Sequence, residues 1–404
     1  MVDLFRKLPL ELVEIIGDSC LYDDLDNLRF TSRHIYHSTL CVFGKEHYQS
    51  ICTNLSAKSL RRLQAVVGNK HLAKYTKSLC ISNMHSELGQ GLDWGQEETI
   101  QQWTDLLKSL PNCRSFRINA RTRNRRLLSA PDLTSSDALN VLLRMILEAG
   151  VKAVSFDVDI EGCSRLSSGR WSLNNLKQGH GINSCLPLSV PELLSSWSTL
   201  ESLTLRSAMC GEVDFTYFLG AMAAASSTLR KLSIACCSFG TEGVDLLRGL
   251  SELPAPIHLQ YLTIIRSHFW SSESLLIFLR SQSHSLRSLS LSQVTLHNAP
   301  WLPMFETISE IYTALEYIAL CELYESSSSS SPETSVFCFP EVLKDPIVDV
   351  SAGGQSKDMF HSHRYEDRAW DYEDIYYNGR RMDLALQKIV DGAEVRPLEW
   401  WVVW

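Results

Sequence analysis

The chain has 404 residues, 45% of them apolar and 21% charged, with a formal net charge of −8. That length exceeds what one hydrophobic core serves, so several domains or a repeat array are expected. The acidic balance argues against general affinity for nucleic acid or an anionic membrane surface.

The first predicted elements are short helices. In LPLELVEII, Leu8, Leu12, Ile15 and Ile16 recur at helical spacing, and Pro9 stands where a helix starts without losing a hydrogen bond. A second helix is predicted after Asp23 or Asp24, with Leu25 and Leu28 facing inward. A third is predicted from Thr31 or Ser32, carrying Ile35, Leu40 and Phe43. Three helices in about 40 residues bury too little surface to be stable alone, so such a unit wants a partner.

The residues Leu8-Pro9, Glu11-Leu12, Ile16, Asp24-Leu25, Leu28-Arg29 and Thr31-Ser32-Arg33, ending near Tyr36, resemble an F-box. The resemblance covers residues 1–48. It implies that Leu8, Pro9, Leu12, Ile16, Leu25 and Leu28 bind a Skp-type adaptor, and through it a cullin, while the rest of the chain holds a protein substrate. The competing reading is a helical cap on the domain that follows.

The next regular feature is the pattern LxxLxL. It starts at Leu200, Leu229, Leu259, Leu286 and Leu315, at intervals of 29, 30, 27 and 29 residues, which is a period. Each unit alternates as a short strand would, and helical segments such as TEGVDLLRGLSE, SSESLLIFLRSQSH and MFETISEIYT lie between. Fainter units are predicted at Thr76, Cys113 and Val151, 37 and 38 residues apart, and a Gly/Ser/Asn-rich insertion fills the interval to Leu200.

The array resembles leucine-rich repeats. The position after the strand, where such repeats carry Cys or Asn, is taken by Cys237 in one unit and by Ala208, Ser267 and Val294 in others. The expected fold is therefore α/β: a helical F-box over 1–48, then a curved solenoid of alternating strands and helices over 49–325. The solenoid is irregular over 49–199 and regular over 200–325.

Between the buried leucines, alternate strand residues face outward, and Arg206, Lys231, Tyr261 and Tyr317 are the long or aromatic side chains among them. These are candidate substrate contacts, against the plainer reading of a solvated sheet face. A second candidate is RSFRINARTRNRR, residues 114–126, with Arg121, Arg123 and Arg125 among six arginines and no acid. Guanidinium forks pair with carboxylate or phosphate, so the segment suits an acidic or phosphorylated protein. With Phe116 as its one aromatic it lacks the interleaved stacking platforms of a single-strand nucleic-acid site, and a solvated loop is the competing account.

SSSSSSP within 326–335 predicts a flexible loop. Residues 336–404 predict a cap, in which RMDLALQKIV is helical and PLEWWVVW a closing strand.

His361 and His363 precede several acids, but no H-E-x-x-H or comparable ligand set accompanies them, so neither metal nor cofactor is expected. No G-x-S-x-G elbow or phosphate loop occurs, and Gly89, Gly91 and Gly95 are misspaced for a dinucleotide. Asp157 and Asp159 would share a strand face, where exposed acids need no catalytic role.

The 12 cysteines include no C-x-x-C pair, and the 15 uncharged residues from Phe215 to Leu229 are too few for a membrane span. No secretory leader is read at the start, so the expectation is a cytoplasmic or nuclear protein that does no chemistry itself. Its expected role is the substrate receptor of an SCF-type ubiquitin ligase. A repeat scaffold or inhibitor acting without a ligase is the alternative.

Overall fold

Interrupted apolar stripes dictate short helices at the start of the chain. A computed structural model describes residues 8–82, 88–94, 96–121, 133, 135–161, 196–207, 227–236, 257–269, 272–297, 299–312, 314–328, 331–338, 347–348, 357–358, 360–364, 373–379 and 381–397. The chain divides into two units, residues 1–153 with 179–185 and residues 154–178 with 186–404.

The first unit begins with α1 (Leu10–Ser19), α2 (Tyr22–Thr31), α3 (Arg33–Ser38) and α4 (Leu40–Tyr48). The carbonyl of Pro9 accepts from the amides of Leu12 and Val13, which opens α1. Asp23 and Asp24 lie in the first turn of α2, not at its cap, where their charge opposes the helix dipole. Ser32 caps α3, its hydroxyl accepting from the Ile35 amide at 3.2 Å.

The third predicted helix is in fact two. Thr39 is wholly buried, and its hydroxyl donates to the Ile35 carbonyl at 2.7 Å, closing α3 before α4 can continue it. Val13, Leu25, Ile35 and Val42 form the small core of these helices.

Next come β1 (Ser50–Thr53), α5 (Ala57–Gly68), α6 (Lys70–Ala73), β2 (Ser78–Ser82), α7 (Glu97–Lys108), β3 (Ser115–Arg121) and α8 (Ser135–Glu148). The strands are parallel, with Ile51, Leu79 and Phe116 in one row and Thr53, Ile81 and Ile118 in the next. Arg144 on α8 pairs with Glu97 and Glu148, tying α8 to α7.

Gly44 seats α4 on the residues after α6: a Cβ there would lie 2.2 Å from the Tyr75 ring, so only glycine admits the approach. Burial pushes the Tyr75 hydroxyl up to about 12, with Cys41 adding to the shift.

The second unit contains β4 (Ser155–Glu161), β5 (Ser202–Ser207), β6 (Lys231–Cys236), β7 (Tyr261–Ile265), β8 (His268–Phe269), α9 (Ser272–Ser281), β9 (Ser288–Ser292), β10 (Thr295–His297), α10 (Trp301–Ile311), β11 (Tyr317–Cys321) and β12 (Leu323–Ser328). After these follow β13 (Ser331–Cys338), β14 (Ile347–Val348), β15 (Lys357–Asp358), β16 (Phe360–Arg364), β17 (Glu373–Asn378), α11 (Met382–Gly392) and β18 (Glu394–Pro397).

Strands β4, β5, β6, β7, β9 and β11 pair in parallel and in chain order, as a stack of repeats requires. Leu203, Leu232, Leu262, Leu289 and Ile318 form one in-register column, and Leu205, Ile234, Ile264, Leu291 and Leu320 a second. No residue of either column is more than 3% exposed. Each such burial contributes about 1.5–3 kcal/mol relative to exposure.

A second, smaller sheet runs alongside, with β8, β10 and β12 in parallel and β13 and β18 continuing it antiparallel. The corners between the sheets fall at Arg266, Gln293 and Glu322, with φ of 51°, 55° and 48°. These three side chains make a ladder: Arg266 Nε donates to Gln293 Oε1 at 2.8 Å, and Gln293 Nε2 donates to Glu322 Oε2 at 2.6 Å. The hydrogen bonds offset a backbone conformation that glycine adopts without strain.

Two expectations change. The third early repeat starts at Ala153, not Val151, because Ala153, Phe156 and Val158 are the buried residues and Phe156 pairs with Leu203. The serine-rich stretch contributes Ser326 and Ser328 to β12 and Ser331 to β13, which pair antiparallel with a register shift between Ser326 and Ser328. Backbone bonds hold serine in a strand as well as any residue.

β17 and β16 close the larger sheet antiparallel to β11, and α11 packs on α10. The predicted strand PLEWWVVW lies outside the described residues beyond Pro397. Among the described residues no helix is long and apolar enough to cross a membrane.

Candidate partner-binding surfaces

Two surfaces collect the candidate residues. In the first, α1 to α3 turn one set of apolar side chains inward and leave another outside. Leu10, Leu12, Ile15, Ile16, Leu21, Phe30 and Tyr36 are exposed, Phe30 to 86% and Leu21 to 76%. Among the described residues the other large exposed hydrophobic ones are Tyr261, Ile277, Leu384 and Val395, scattered through the second unit. Isolated apolar residues are normal on a surface, whereas seven within residues 10–36 are a concentration.

Of the six residues expected to bind an adaptor, Pro9, Leu12 and Ile16 are exposed, and Leu8 and Leu28 are half-buried. Leu25 is 1% exposed: it belongs to the core of the helices and presents nothing to a partner. Its direction follows from α2, whose other face carries the exposed Asp23, Asn27 and Phe30.

Within these helices lies Arg29, which is 5% exposed. Its guanidinium sits 3.6 Å from the Phe43 ring centroid and 4.4 Å from that of Tyr36, and donates to the Thr39 carbonyl at 3.4 Å. Burial lowers its pKa, with Tyr36 and Asp26 opposing. The cation thus locks α2, α3 and α4 together by aromatic faces.

The second surface is the outward face of the larger sheet in the second unit. Along one row stand Ser202, Lys231, Tyr261, Ser288, Tyr317 and Asn378; along the next, Asp157, Thr204, Ser233, Thr263, Ser290, Ala319 and Tyr376. Arg206 pairs with Asp159 in the third row. The face is therefore graded: charged at β4 to β6, hydroxyl-lined at β7 and β9, aromatic at β11 and β17.

Arg206, Lys231 and Tyr261 are exposed, and Tyr317 is half-buried. Burial, with Tyr376 beside it, raises the Tyr317 pKa. Asp157 and Asp159 share the face, but Asp157 is buried and Asp159 half-buried, so they are not the exposed acids expected.

Arg121 ends β3 in the first unit, while Arg123 and Arg125 lie outside the described residues. Ser267 is buried, its hydroxyl donating to the Ile265 carbonyl at 3.2 Å, and Val294 is buried too. Ala208 and Cys237 lie outside the described residues. Among the described residues no three His, Cys, Asp or Glu side chains are grouped to hold a metal ion.

No protein-family model matches this chain, and no curated protein matches it by sequence. Its shape is similar to the crystal structure of a Bacteroides fragilis protein determined as a structural genomics target, at a TM-score of 0.37 and 13% identity over 65% of this chain. The chain spans 64% of that protein's length. A likeness at this level bears on neither activity nor partner.

Sequence reasoning missed Leu10, Ile15, Leu21, Phe30 and Tyr36 as surface residues. The signal was present for two of them: an apolar residue flanking a polar helix face, as Phe30 does beside Asp23 and Asn27, or at a helix boundary, as Leu21 does, has little core to reach.

Proposed function

We propose that the chain is the substrate-recognition subunit of an SCF-type cullin-RING ubiquitin ligase, with the N-terminal helices acting as an F-box on a Skp-type adaptor. The repeat region is the substrate holder in this reading, and the chain performs no chemistry itself. One observation carries the proposal: the short helical segment that resembles an F-box bears seven exposed apolar side chains, Leu10, Leu12, Ile15, Ile16, Leu21, Phe30 and Tyr36. A mere end cap would turn such residues inward, because exposing them forgoes about 1.5–3 kcal/mol apiece. The sheet face with exposed Arg206, Lys231 and Tyr261 and half-buried Tyr317 is the substrate surface in this reading.

The test is capture of the full chain by purified Skp-type adaptor. Wild type should bind, and Leu12→Asp with Ile16→Asp should abolish capture while the circular dichroism spectrum stays unchanged. A folded chain that fails to bind leaves the repeat scaffold without a ligase as the better account.

A further inference from the structure

Strands β1 and β2 are parallel and place Cys52 directly opposite Cys80. Strand alternation sends Leu79 and Ile81 into the core and both cysteines to the outward face. Cys52 is exposed, Cys80 is half-buried, and neither is in a disulfide. Neighbouring strands run about 4.8 Å apart, so the two Cα atoms fall inside the span that a disulfide bridges, about 4.4–6.8 Å. Closing the bond takes rotation about χ1 and a small approach of the two Cβ atoms, from about the strand spacing to about 3.5–4.5 Å.

The next rung is Arg117, in register with Cys80, so the thiol ladder has two members. The other described free cysteines have no such arrangement. Cys20 and Cys41 lie at or within helices, and Cys321 faces Ser292. Cys113 is 1% exposed, and burial pushes its thiol up to about 12, which leaves it unreactive.

We propose that Cys52 and Cys80 form a reversible two-thiol oxidation site whose oxidant is a peroxide. The Cys52 thiolate attacks one peroxide oxygen, the O–O bond breaks, and the sulfur becomes a sulfenic acid as hydroxide leaves and is protonated to water. The Cys80 thiolate then attacks that sulfur. The S–S bond forms, the S–O bond breaks, and the second oxygen departs as water. Two thiols and one hydrogen peroxide thus yield one disulfide and two waters, and a dithiol reductant reverses the change. The bond joins the two ends of the segment carrying α5 and α6, on whose far side Tyr75 receives Gly44 of α4. Oxidation therefore pins the strands beside which the N-terminal helices are seated.

The experiment exposes the reduced full chain to equimolar hydrogen peroxide, alkylates the remaining thiols, and maps peptides without reduction. The expected result is a Cys52–Cys80 linked peptide exceeding any other linkage, removed by dithiothreitol and falling to the level of other pairs when oxidation is done in urea. Cys80→Ser should leave a sulfenic acid on Cys52 that dimedone captures. Finding Cys52 and Cys80 both alkylated after other thiols have oxidised would overturn the proposal, as would an equal yield from the unfolded chain. Should Cys80→Ser fail to fold, the native and urea samples of wild type decide by themselves.

Discussion

The strand ladder of the second unit and the helices of the first put apolar residues to opposite uses. Leu203, Leu232, Leu262, Leu289 and Ile318 are buried to the last few square ångströms, each fixed by the rung before and after it. Leu10, Leu12, Ile15, Leu21 and Phe30 remain in solvent on helices held by a small core and one buried arginine. A stack of repeats gives every apolar side chain a neighbour of its own chain, whereas a short helical unit must find one elsewhere. Apolar content alone therefore says nothing of stability; its placement separates the part that holds the fold from the part left in solvent.

The sharpest break of that contrast is Leu289→Ala against Leu12→Ala. Removing Leu289 should cost about 2–5 kcal/mol in urea denaturation, by lost transfer energy and the cavity left. Removing Leu12 should change stability by less than about 0.5 kcal/mol. Gly44→Ala comes next: the added methyl meets the Tyr75 ring, so overpacking of about 1–3 kcal/mol is expected, and Tyr75→Leu in the same chain should recover part of it. Arg29→Met should loosen the helices by about 1–2 kcal/mol as its contacts with Phe43 and Tyr36 go, detected as faster amide exchange in α2 to α4.

The smallest effect is one of pH. His268 Nδ1 and His297 Nε2 lie 3.3 Å apart, and burial lowers both pKa values, with His297 adding to the shift at His268. Below about 6.5 the unfolded chain binds more protons than the folded one, so stability present above that pH is lost as pH falls. Urea midpoints compared at about pH 7.5 and about pH 5.5 should show the loss, and His297→Gln should reduce it.

The ladder was legible because LxxLxL couples composition to a spacing that only stacked strands satisfy. Where apolar residues are denser than the pattern requires, legibility fails: Val151 and Val154 mimic a repeat that Ala153, Phe156 and Val158 actually make. β1 went unread because Ser50-Ile51-Cys52-Thr53 is short and carries one large apolar residue. The smaller sheet was hidden because its corners hold Arg266, Gln293 and Glu322 in place of glycine, and their hydrogen-bonded ladder exists only once the rungs are stacked. In the helices, spacing placed Leu25 inward but did not show which of the other apolar residues stay outside. Leu25 and Phe30 belong to the same helix, one buried and the other almost bare, and only packing against α3 distinguishes them.

Hydrogen–deuterium exchange of the full chain with and without a Skp-type adaptor tests the central claim most directly, because a weakly cored helical segment exchanges fast until something covers it. The account predicts slowed exchange across residues 10–36 and unchanged exchange in β5 to β11. Protection confined to the strands, or none on a folded chain at saturating adaptor, would contradict it.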